Sequence, residues 1–238
     1  MNSEQSIRIA VAFARAVATP MSGLCTACVE VLDVSGAGIT VMGGGQAGPL
    51  CVSSERMASL EDLQFTMGEG PCQDAYASGR PVHAPRFDAA IVARWPLFID
   101  EARGSGIGGV FAYPLSSNGA KVGVLTLYQD QEGELSGAQH DDSIALADVL
   151  TETVLSLQDA SPVGVLAEGL QDAVAYRAEI HQACGMVSIQ LRIPVGEALM
   201  RIRAHAFANE IPVGVVAADI VARRLRLSDD RQELGEGV

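Results

Sequence analysis

The chain of 238 residues is 48% hydrophobic and 19% charged, with a formal net charge of −13. Its length allows one large domain or two modest ones, and its composition is ordinary for a globular protein. It has no run of about eighteen uninterrupted apolar residues, and Arg8 and Arg15 cut the apolar N-terminal run in which a secretory signal would lie. These features argue against a membrane protein or a secreted one, and we expect a cytoplasmic protein.

The charge is distributed unevenly along the chain. Residues 1–160 carry eight basic and nineteen acidic side chains, whereas residues 177–226 carry seven arginines and four acids. The overall acidity argues against indiscriminate nucleic-acid binding, but a local basic patch on an acidic chain is expected of a selective polyanion binder. A solvated helical surface with arginines gives the same pattern, so charge alone leaves both interpretations open.

Five cysteines in a chain of this size do not indicate a disulfide framework. Cys25 and Cys28 form a single CxxC on a predicted helix, without a second pair or a nearby histidine. Because a free cysteine behaves as a small hydrophobic residue, we expect both to be packed in the core rather than to serve redox or zinc chemistry. The four histidines lack zinc-ligand spacing, and the sequence predicts no metal site.

The first part of the chain alternates helical and extended patterns. These patterns predict helices at 5–18, 22–33 and 54–66, and strands at 36–42 and 50–53. A short helix opens at Pro71, because proline suits the first turn of a helix, and closes at Gly79. Residues 83–93 are expected to be irregular and are followed by a helix at 94–103.

A hairpin signal follows. Strand patterns at 109–115 and 120–128 flank Ser117-Asn118-Gly119, a favoured turn sequence. Ser136-Gly-Ala-Gln139 matches a capping box that opens the closing helix of this region. The order of elements predicts an α/β domain over residues 1–158, with an antiparallel sheet and helices on one side.

One stretch makes the comparison with a known family specific. The sequence GEGPCQDAYASGRPV at 68–82 precedes a Trp-bearing helix, a YPL strand and the strand VGVLTLY. Together these resemble a GAF domain, in particular the GAF domains that precede RNA-binding ANTAR domains in bacterial regulators. The resemblance implies a sensory module that holds a small molecule or chromophore between sheet and loops and often dimerises through flanking helices. It names no cofactor, and it leaves the identity of a small-molecule ligand open.

Candidate ligand-binding residues lie in the GEGPC loop and among the aromatic side chains after it. They are Glu69, Cys72, Trp95, Phe98, Phe111 and Tyr113. The four aromatic residues fit either a pocket lining or the core. Cys72 is the one plausible reactive centre, because the start of a helix favours a thiolate. Some GAF-fold enzymes reduce free methionine sulfoxide with cysteines, so a thiol-dependent reductase is an alternative. Gly104-Ser-Gly-Ile-Gly-Gly109 formally matches GxGxxG, but it follows a helix and precedes a strand, so we interpret it as a flexible turn. No P-loop or hydrolase motif is present, and we predict no catalytic residues.

After a small-residue segment at 159–165, predicted to be a hinge, the chain becomes helical. A long helix at 166–191 carries an apolar stripe that Arg177 interrupts. Two further helices each start with Ile-Pro-Val-Gly, at 193–196 and 211–214, and proline is expected at their first helical position. Each is too short to be stable alone, so the three are expected to pack together. The side chains expected to be buried in the second and third helices are Val195, Leu199, Ile202, Ala206, Val213, Val216, Ala217 and Ile220.

The helical segment resembles an ANTAR domain over about residues 165–225. Matching motif residues include Tyr176-Arg177, Ile202-Arg203 and Val216-Ala217. The family typically has Ala-Lys-Gly where this chain has Ala183-Cys184-Gly185. The predicted organisation is a GAF-like domain at 1–158, a hinge at 159–165, an all-α three-helix domain at 166–227 and an acidic tail at 228–238.

The resemblance implies transcription antitermination by a homodimer that binds RNA stem-loops in a leader transcript and responds to a small molecule or an upstream protein. Arginine suits phosphate through its planar fork of donors, and amide side chains suit unstacked loop bases. The candidate RNA-binding residues are Arg177, Gln182, Arg201, Arg203, His205, Asn209, Arg223 and Arg224. A ligand-sensing dimer that acts through a protein partner is a second alternative.

Overall fold

The computed structural model describes residues 22–43, 46–117, 119–159, 168–209 and 211–228, with the backbone alone at 22, 43, 46–47, 157–159 and 168–177. The predicted helix at 5–18 lies outside these ranges, as do the hinge after Asp159 and the acidic tail after Ser228. The chain divides into two compact units between Val174 and Ala175.

The first unit mixes short helices and strands. Its elements are α1 (Ser22–Leu32), β1 (Gly36–Gly43), β2 (Gln46–Val52), α2 (Glu55–Met67), α3 (Pro71–Ser78), β3 (Val82–Ala84), α4 (Ala89–Arg94), α5 (Pro96–Gly104), β4 (Gly109–Ser117), β5 (Ala120–Gln129) and α6 (Gly137–Asp159). The helices predicted at 22–33, at 54–66 and from Pro71 are confirmed, and so are the two hairpin strands.

The five strands form one antiparallel sheet in the order β2-β1-β5-β4-β3. Side chains alternate between the two faces along a strand. Phe111 and Tyr113 of β4 pack with α1 and α6, whereas Val110 and Ala112 pack with α2, α3 and α5 on the other face. Helices therefore cover both faces, and the prediction that they lie on one side is wrong. The continuous apolar runs of β4 and β5 are the pattern of strands buried on both faces.

Residues 83–93 are more ordered than their sequence predicts. Val82–Ala84 pairs with β4 at the edge of the sheet. Asp88 caps α4 by accepting hydrogen bonds from the amides of Ala90 and Ile91, at 3.0 Å each. The three-residue strand is too short to show an alternating pattern. Asp88, in contrast, is a residue type typical of the N-cap position, and it could have predicted the start of α4.

The capping box predicted at 136–139 is confirmed. The Ser136 amide donates to Gln139 Oε1 at 2.9 Å, and the Gln139 amide donates to Ser136 Oγ at 3.2 Å. Gln139 Nε2 also donates to the carbonyls of Leu32 and Asp33. These bonds fix the start of α6 to the end of α1.

Cys25 and Cys51 form a disulfide bond between α1 and β2, with their Cα atoms 6.0 Å apart. The prediction that Cys25 is a free core cysteine is therefore wrong, whereas Cys28 is free and buried. Burial raises the pKa of the Cys28 thiol to about 12, so this side chain stays protonated at neutral pH. The pairing was missed because the partner lies 26 residues away on a strand rather than within the CxxC.

The rest of the described chain is helical: α7 (Glu168–Leu191), α8 (Val195–Ala208) and α9 (Val213–Val221). The second unit is built from the C-terminal part of α7 with α8 and α9. No single described helix is long and apolar enough to cross a membrane, and α8 with α9 meets that criterion only as a pair bent by 115°.

The predicted interior of these helices is largely confirmed. All four predicted residues of α9 are buried, as are Ile202 and Ala206 of α8. The prediction for Val195 is wrong, since this side chain is 53% exposed, and Leu199 is only half-buried. Ala198 is buried instead. The buried stripe of α8 thus runs at a spacing of four from residue 198. Pro194 is the N-cap of α8, and Pro212 is the N-cap of α9. Each helix therefore begins one residue later than predicted, at the valine after its proline.

Candidate functional site

The buried face of α2 carries polar side chains where an apolar stripe is expected. Glu61 and Gln64 lie toward the sheet beside Met57, and all three are buried. Gly38 of β1 permits this close packing, because a Cβ there would lie 2.8 Å from Met57 Cε. The helix thus holds a carboxyl and an amide against the sheet.

The Glu61 carboxyl makes hydrogen bonds to the sheet and within its own helix. Thr40 of β1 donates its hydroxyl to Glu61 Oε2, and Gln64 Nε2 donates to Glu61 Oε1 at 3.4 Å. Burial raises the pKa of the Glu61 carboxyl, and the hydrogen bond from Thr40 offsets part of that rise. The site therefore favours an uncharged carboxylic acid inside an apolar layer.

Cys72 and Thr126 complete this group, which we call the Glu61 cluster (Thr40, Glu61, Gln64, Cys72 and Thr126). The Cys72 amide donates to Gln64 Oε1 at 2.7 Å, and Cys72 Sγ lies 3.9 Å from Glu61 Oε2. Thr126 Oγ1 is buried without a hydrogen bond of good geometry, although its hydroxyl is near enough to the carboxyl to favour the ionised form. An unsatisfied hydroxyl beside a buried acid is suited to a small polar ligand or a water molecule.

The GEGPC loop joins three helices. Gly68 ends α2 with φ 69° and Gly70 has φ 123°, values that favour glycine. Glu69 Oε1 accepts the amides of Leu97 and Phe98 at 2.7 and 2.9 Å, at the start of α5. A carboxylate is favourable there because the N-terminus of a helix carries positive partial charge. Glu69 therefore has a structural partner that its predicted ligand role did not anticipate.

Trp95 and Phe98 lie on the same side of the sheet as the Glu61 cluster, in one apolar core with Met57. Their rings meet edge to face with centroids 6.5 Å apart. Trp95 Nε1 donates to Asp74 Oδ2 at 3.2 Å, and Arg94 pairs with the same carboxylate oxygen at 2.6 Å. Both rings are buried, which agrees with the core interpretation of the aromatic residues.

Phe111 and Tyr113 lie on the opposite face of the sheet, in the core that includes α6. The Tyr113 hydroxyl is 3.0 Å from His140 Nδ1, and burial raises the pKa of Tyr113 to about 12. His83 of β3 contacts both aromatic rings, and burial followed by the charge of His140 lowers the pKa of His83. Within the described ranges, no group of three His, Cys, Asp or Glu side chains could hold a metal ion. The six predicted ligand residues are thus divided between two faces of the sheet.

Sequence reasoning missed most of the Glu61 cluster. Of its five members, only Cys72 was predicted. A signal was present, because Glu61 and Gln64 stand three residues apart on the helical side that carries Met57 and Leu60. A charged residue on the apolar side of a helix indicates a specific partner.

In the second unit, basic residues from distant parts of the sequence line one cavity of about 390 Å³. Arg201 and His205 lie one turn apart on α8, and Arg226 follows α9. We call this the Arg201 cavity. Its other lining residues are uncharged: Ala204, Ala208, Leu227 and Ser228. Arg201 also lies 3.7 Å from Glu197 on its own helix.

A second cavity, of about 550 Å³, shares Arg226 with the first. We call it the Ile189 cavity. Its lining is mostly apolar and consists of Met186, Ile189, Gln190, Ile220, Arg223, Leu225 and Arg226. Ile189 is 82% exposed, which is unusual for a large apolar side chain.

The segment after α9 is held in place by side-chain contacts. Arg224 Nε donates to Asp219 Oδ1 at 2.7 Å, so this predicted RNA-binding arginine has an acidic partner. Gln190 Nε2 of α7 donates to the Leu227 carbonyl, and the Leu227 side chain is buried. Arg226, between these anchored residues, is exposed.

Position 184, where the resembled family has a lysine, is buried in this chain. Cys184 is 2% exposed, and burial raises the pKa of its thiol. The charge of Arg203 on α8 acts on the same thiol in the opposite direction, and burial lowers the pKa of Arg203. A cation is therefore present beside position 184, but another helix supplies it.

The remaining predicted RNA-binding residues have separate surroundings. Asn209 Nδ2 donates to the His205 carbonyl at 2.8 Å and so satisfies the end of its own helix. Gln182 is exposed on α7. The Arg177 side chain lies outside the described side chains. The structure thus brings together Arg201 and His205 with the unpredicted Arg226, and it places Arg223 at the neighbouring cavity.

Comparisons with known proteins agree with the fold of the first unit. The family model described as GAF domain matches residues 14–142, which is 129 of the 238 residues. The GAF domain of an Acinetobacter phosphoenolpyruvate-protein phosphotransferase is 10% identical, with 68% of this chain and 99% of that one covered and a TM-score of 0.50. Comparison with curated proteins finds no match.

Two other solved structures are similar to this chain. The GAF domain of a phosphoenolpyruvate-protein phosphotransferase from Coxiella burnetii is 13% identical, covering 65% of this chain and 95% of its own, with a TM-score of 0.49. A free methionine-R-sulfoxide reductase from Neisseria meningitidis, in complex with its substrate, is 16% identical. The match covers 67% of this chain and 95% of that one, with a TM-score of 0.47. The GAF family model matches more than half of this chain, and the sheet is five-stranded, antiparallel and flanked by helices. The chain therefore belongs to the GAF domain family, which has a signal-sensing fold.

Proposed function

We propose that this protein is a signal-responsive regulator of transcription antitermination. Its GAF domain receives the signal, and its helical unit binds RNA stem-loops in a leader transcript, in the manner of the ANTAR domain that its sequence resembles. It acts as a cytoplasmic homodimer and not as an enzyme. The signal is a small molecule or an upstream protein that favours one arrangement of the RNA-binding units.

The Arg201 cavity is the observation that carries this proposal. Arg226 meets Arg201 and His205 there although α9 lies between them in the chain, and the described lining contains no acidic residue. The fixed fork of donors in each guanidinium matches the oxygens of a phosphate group. On a chain with a net charge of −13, such a local concentration of cations favours a selective polyanion site over general nucleic-acid binding.

The Glu61 cluster supports the sensory part of the proposal. It places polar groups in the interior of the GAF domain, and Thr126 Oγ1 is buried there beside the Glu61 carboxyl without a hydrogen bond of good geometry. A ligand that satisfied this hydroxyl would gain a buried hydrogen bond. Mass spectrometry of the natively purified protein tests for a co-purifying small molecule, and a Glu61→Ala variant should lose that molecule.

Titration of a labelled tandem RNA hairpin against the full chain, at several salt concentrations, tests RNA binding. We expect saturable binding that weakens as salt rises, since bound arginines release counterions from phosphates. The double variant Arg201→Ala/Arg226→Ala should reduce the slope of log affinity against log salt by about 1.5, the value for two lost phosphate contacts. Wild-type protein that shows no saturable binding, with or without candidate ligands, would disprove the proposal.

A matched control separates local contacts from net charge. Arg80 and Arg86 are both exposed and lie in the GAF domain. The double variant Arg80→Ala/Arg86→Ala removes the same charge and should leave the salt slope unchanged. Equal effects of the two double variants would mean that overall charge, and not the Arg201 cavity, governs the affinity.

A second candidate function is a ligand-sensing dimer whose helical unit binds a protein. Large apolar side chains exposed on α8 and α9 favour it: Met200, Phe207 and Val215. In that case Arg201→Ala/Arg226→Ala should leave the partner interaction unaltered, whereas Phe207→Ala should weaken it. A pull-down with each variant distinguishes the two functions.

A further inference from the structure

We propose that the Ile189 cavity binds an unpaired base of the RNA, next to a phosphate held in the Arg201 cavity. This inference rests on the proposed RNA-binding function and specifies its ligand as a loop nucleotide turned out of its stem. Proteins read RNA sequence mainly through such unstacked bases, because the deep groove of an RNA helix hides the paired ones.

The chemistry of the Ile189 cavity fits a base. Met186, Ile189, Ile220 and Leu225 form its apolar walls, and the faces of a base are apolar while its edge is polar. The volume of about 550 Å³ lies within the range of roughly 300–1,000 Å³ common to small-molecule sites. The exposure of Ile189 leaves an apolar surface in contact with water, which an inserted base would cover.

Gln190 is the group that suits the edge of the base. Its Nε2 donates to the Leu227 carbonyl, which orients the amide and leaves Oε1 as the acceptor. An acceptor at this position pairs with a donor on the edge of the base, an exocyclic amine or a ring N–H.

Arg226 joins the two cavities into one nucleotide site. Within a nucleotide the base and the phosphate are linked through a single sugar, so their sites must adjoin, as these cavities do through a shared wall. The planar guanidinium of Arg226 is able to stack on a base while it donates to a phosphate. The anchoring of Leu227 holds this arginine between the two cavities.

An acidic peptide is the competing occupant, since apolar walls beside arginines also suit a helix that carries carboxylates. The shared wall favours RNA. A peptide would contact the apolar walls together with Arg223 and Arg226 of the Ile189 cavity. Peptide binding there does not account for Arg201 and His205 at the adjoining cavity, whereas a phosphate of the same nucleotide does.

A double series of RNA and protein variants tests the inference on the full chain. Each loop nucleotide of the hairpin is replaced in turn by an abasic one, and affinity is measured for wild type and for Ile189→Ala. We expect one loop position at which base removal weakens wild-type binding roughly five- to tenfold but has no effect on Ile189→Ala, since both changes remove the same contact. Met200→Ala is the matched control, because Met200 is exposed on α8 and lines neither cavity.

Arg226→Lys separates the stacking role of this arginine from its charge. Lysine keeps the cation but lacks the planar fork. The salt slope should stay near its wild-type value while the effect of base removal at the selected position falls. Arg226→Ala should lower both quantities.

The outcomes distinguish this inference from the proposed function. If wild type binds RNA but base removal and Ile189→Ala are additive at every loop position, the cavity serves another partner and the inference is wrong while the function stands. If wild type does not bind RNA at all, the proposed function fails, and the inference fails with it.

Discussion

Ionisable side chains have different surroundings in the two units of the molecule. In the GAF domain, the Glu61 carboxyl is buried against the sheet, and its surroundings favour the neutral form. In the helical unit, four basic side chains line two cavities, and Arg203 is partly buried beside Cys184. A charge in a low-dielectric interior affects the free energy of folding strongly, whereas an exposed charge is screened by water and salt.

This difference indicates where each kind of substitution should act. Changes in the GAF core should alter the stability of the fold. Changes on the surface of the helical unit should alter binding and leave stability nearly untouched.

The largest effect is expected from core truncation. Phe111→Ala removes a fully buried ring from the sheet and should lower the unfolding free energy by about 3–5 kcal/mol. Phe207→Ala removes the same atoms from a 45% exposed position on α8 and should change stability by less than about 1 kcal/mol. Urea unfolding of both variants gives the measurement, and similar losses would refute the contrast.

The disulfide between α1 and β2 should give the next largest effect. Cys51→Ser opens the Cys25–Cys51 link and should lower the unfolding free energy by about 2–4 kcal/mol without a reductant. With excess dithiothreitol, wild type and variant should unfold at nearly the same urea concentration. A variant that already matches oxidised wild type would mean that the bond contributes nothing in solution.

Glu61→Gln tests the buried carboxyl through pH dependence. The pKa of Glu61 is raised in the folded state, so the folded protein holds a proton that the unfolded chain releases. The contribution of this proton to the unfolding free energy is fully present below the ordinary carboxyl pKa. It is lost as pH rises toward the pKa of Glu61 in the folded state. Wild type should therefore lose stability over this interval relative to Glu61→Gln, whose amide does not titrate. Parallel pH profiles of unfolding free energy would show that folding does not raise the pKa of Glu61.

The smallest effect is expected from two surface glutamates with different tasks. Glu69 caps α5 through two amides, so Glu69→Ala should cost about 1 kcal/mol, while Glu69→Gln keeps an acceptor and should cost less. Glu197 forms a half-buried pair with Arg201 at 3.7 Å, and Glu197→Ala should cost less than about 0.5 kcal/mol. Thermal unfolding of the three variants checks this order, and a neutral Glu69→Ala would return Glu69 to its predicted ligand role.

Local patterns predicted most elements of the fold because their causes are local. The capping box at 136–139, the hairpin strands β4 and β5 and the stripe of α9 each depend on neighbours within a few residues. The partners of Glu61 depend instead on strand register, which pairs Gly38 with Thr126 and Thr40 with Val124 across β1 and β5. Register is set by the assembled sheet, so no spacing in the sequence indicates these contacts.

The cavities of the helical unit were unpredictable for a related reason. The sequence marks Arg201 and His205 as neighbours on one helical face, and both line the Arg201 cavity. Arg226 contributes to the sequence pattern only as one more positive charge. Its place beside Arg201 depends on the path of the irregular segment after α9, which follows from the Arg224 pair and the burial of Leu227.

The hydrogen bond from Gln190 to the Leu227 carbonyl also holds the segment after the last helix against α7. The last helix stops at Val221, yet the wall common to both cavities comes later in the chain. A fragment designed around the three helices alone would keep their packing and lose both cavities. A substitution at Gln190, near the end of α7, should likewise release a carbonyl 37 residues away and disturb the wall that the two cavities share.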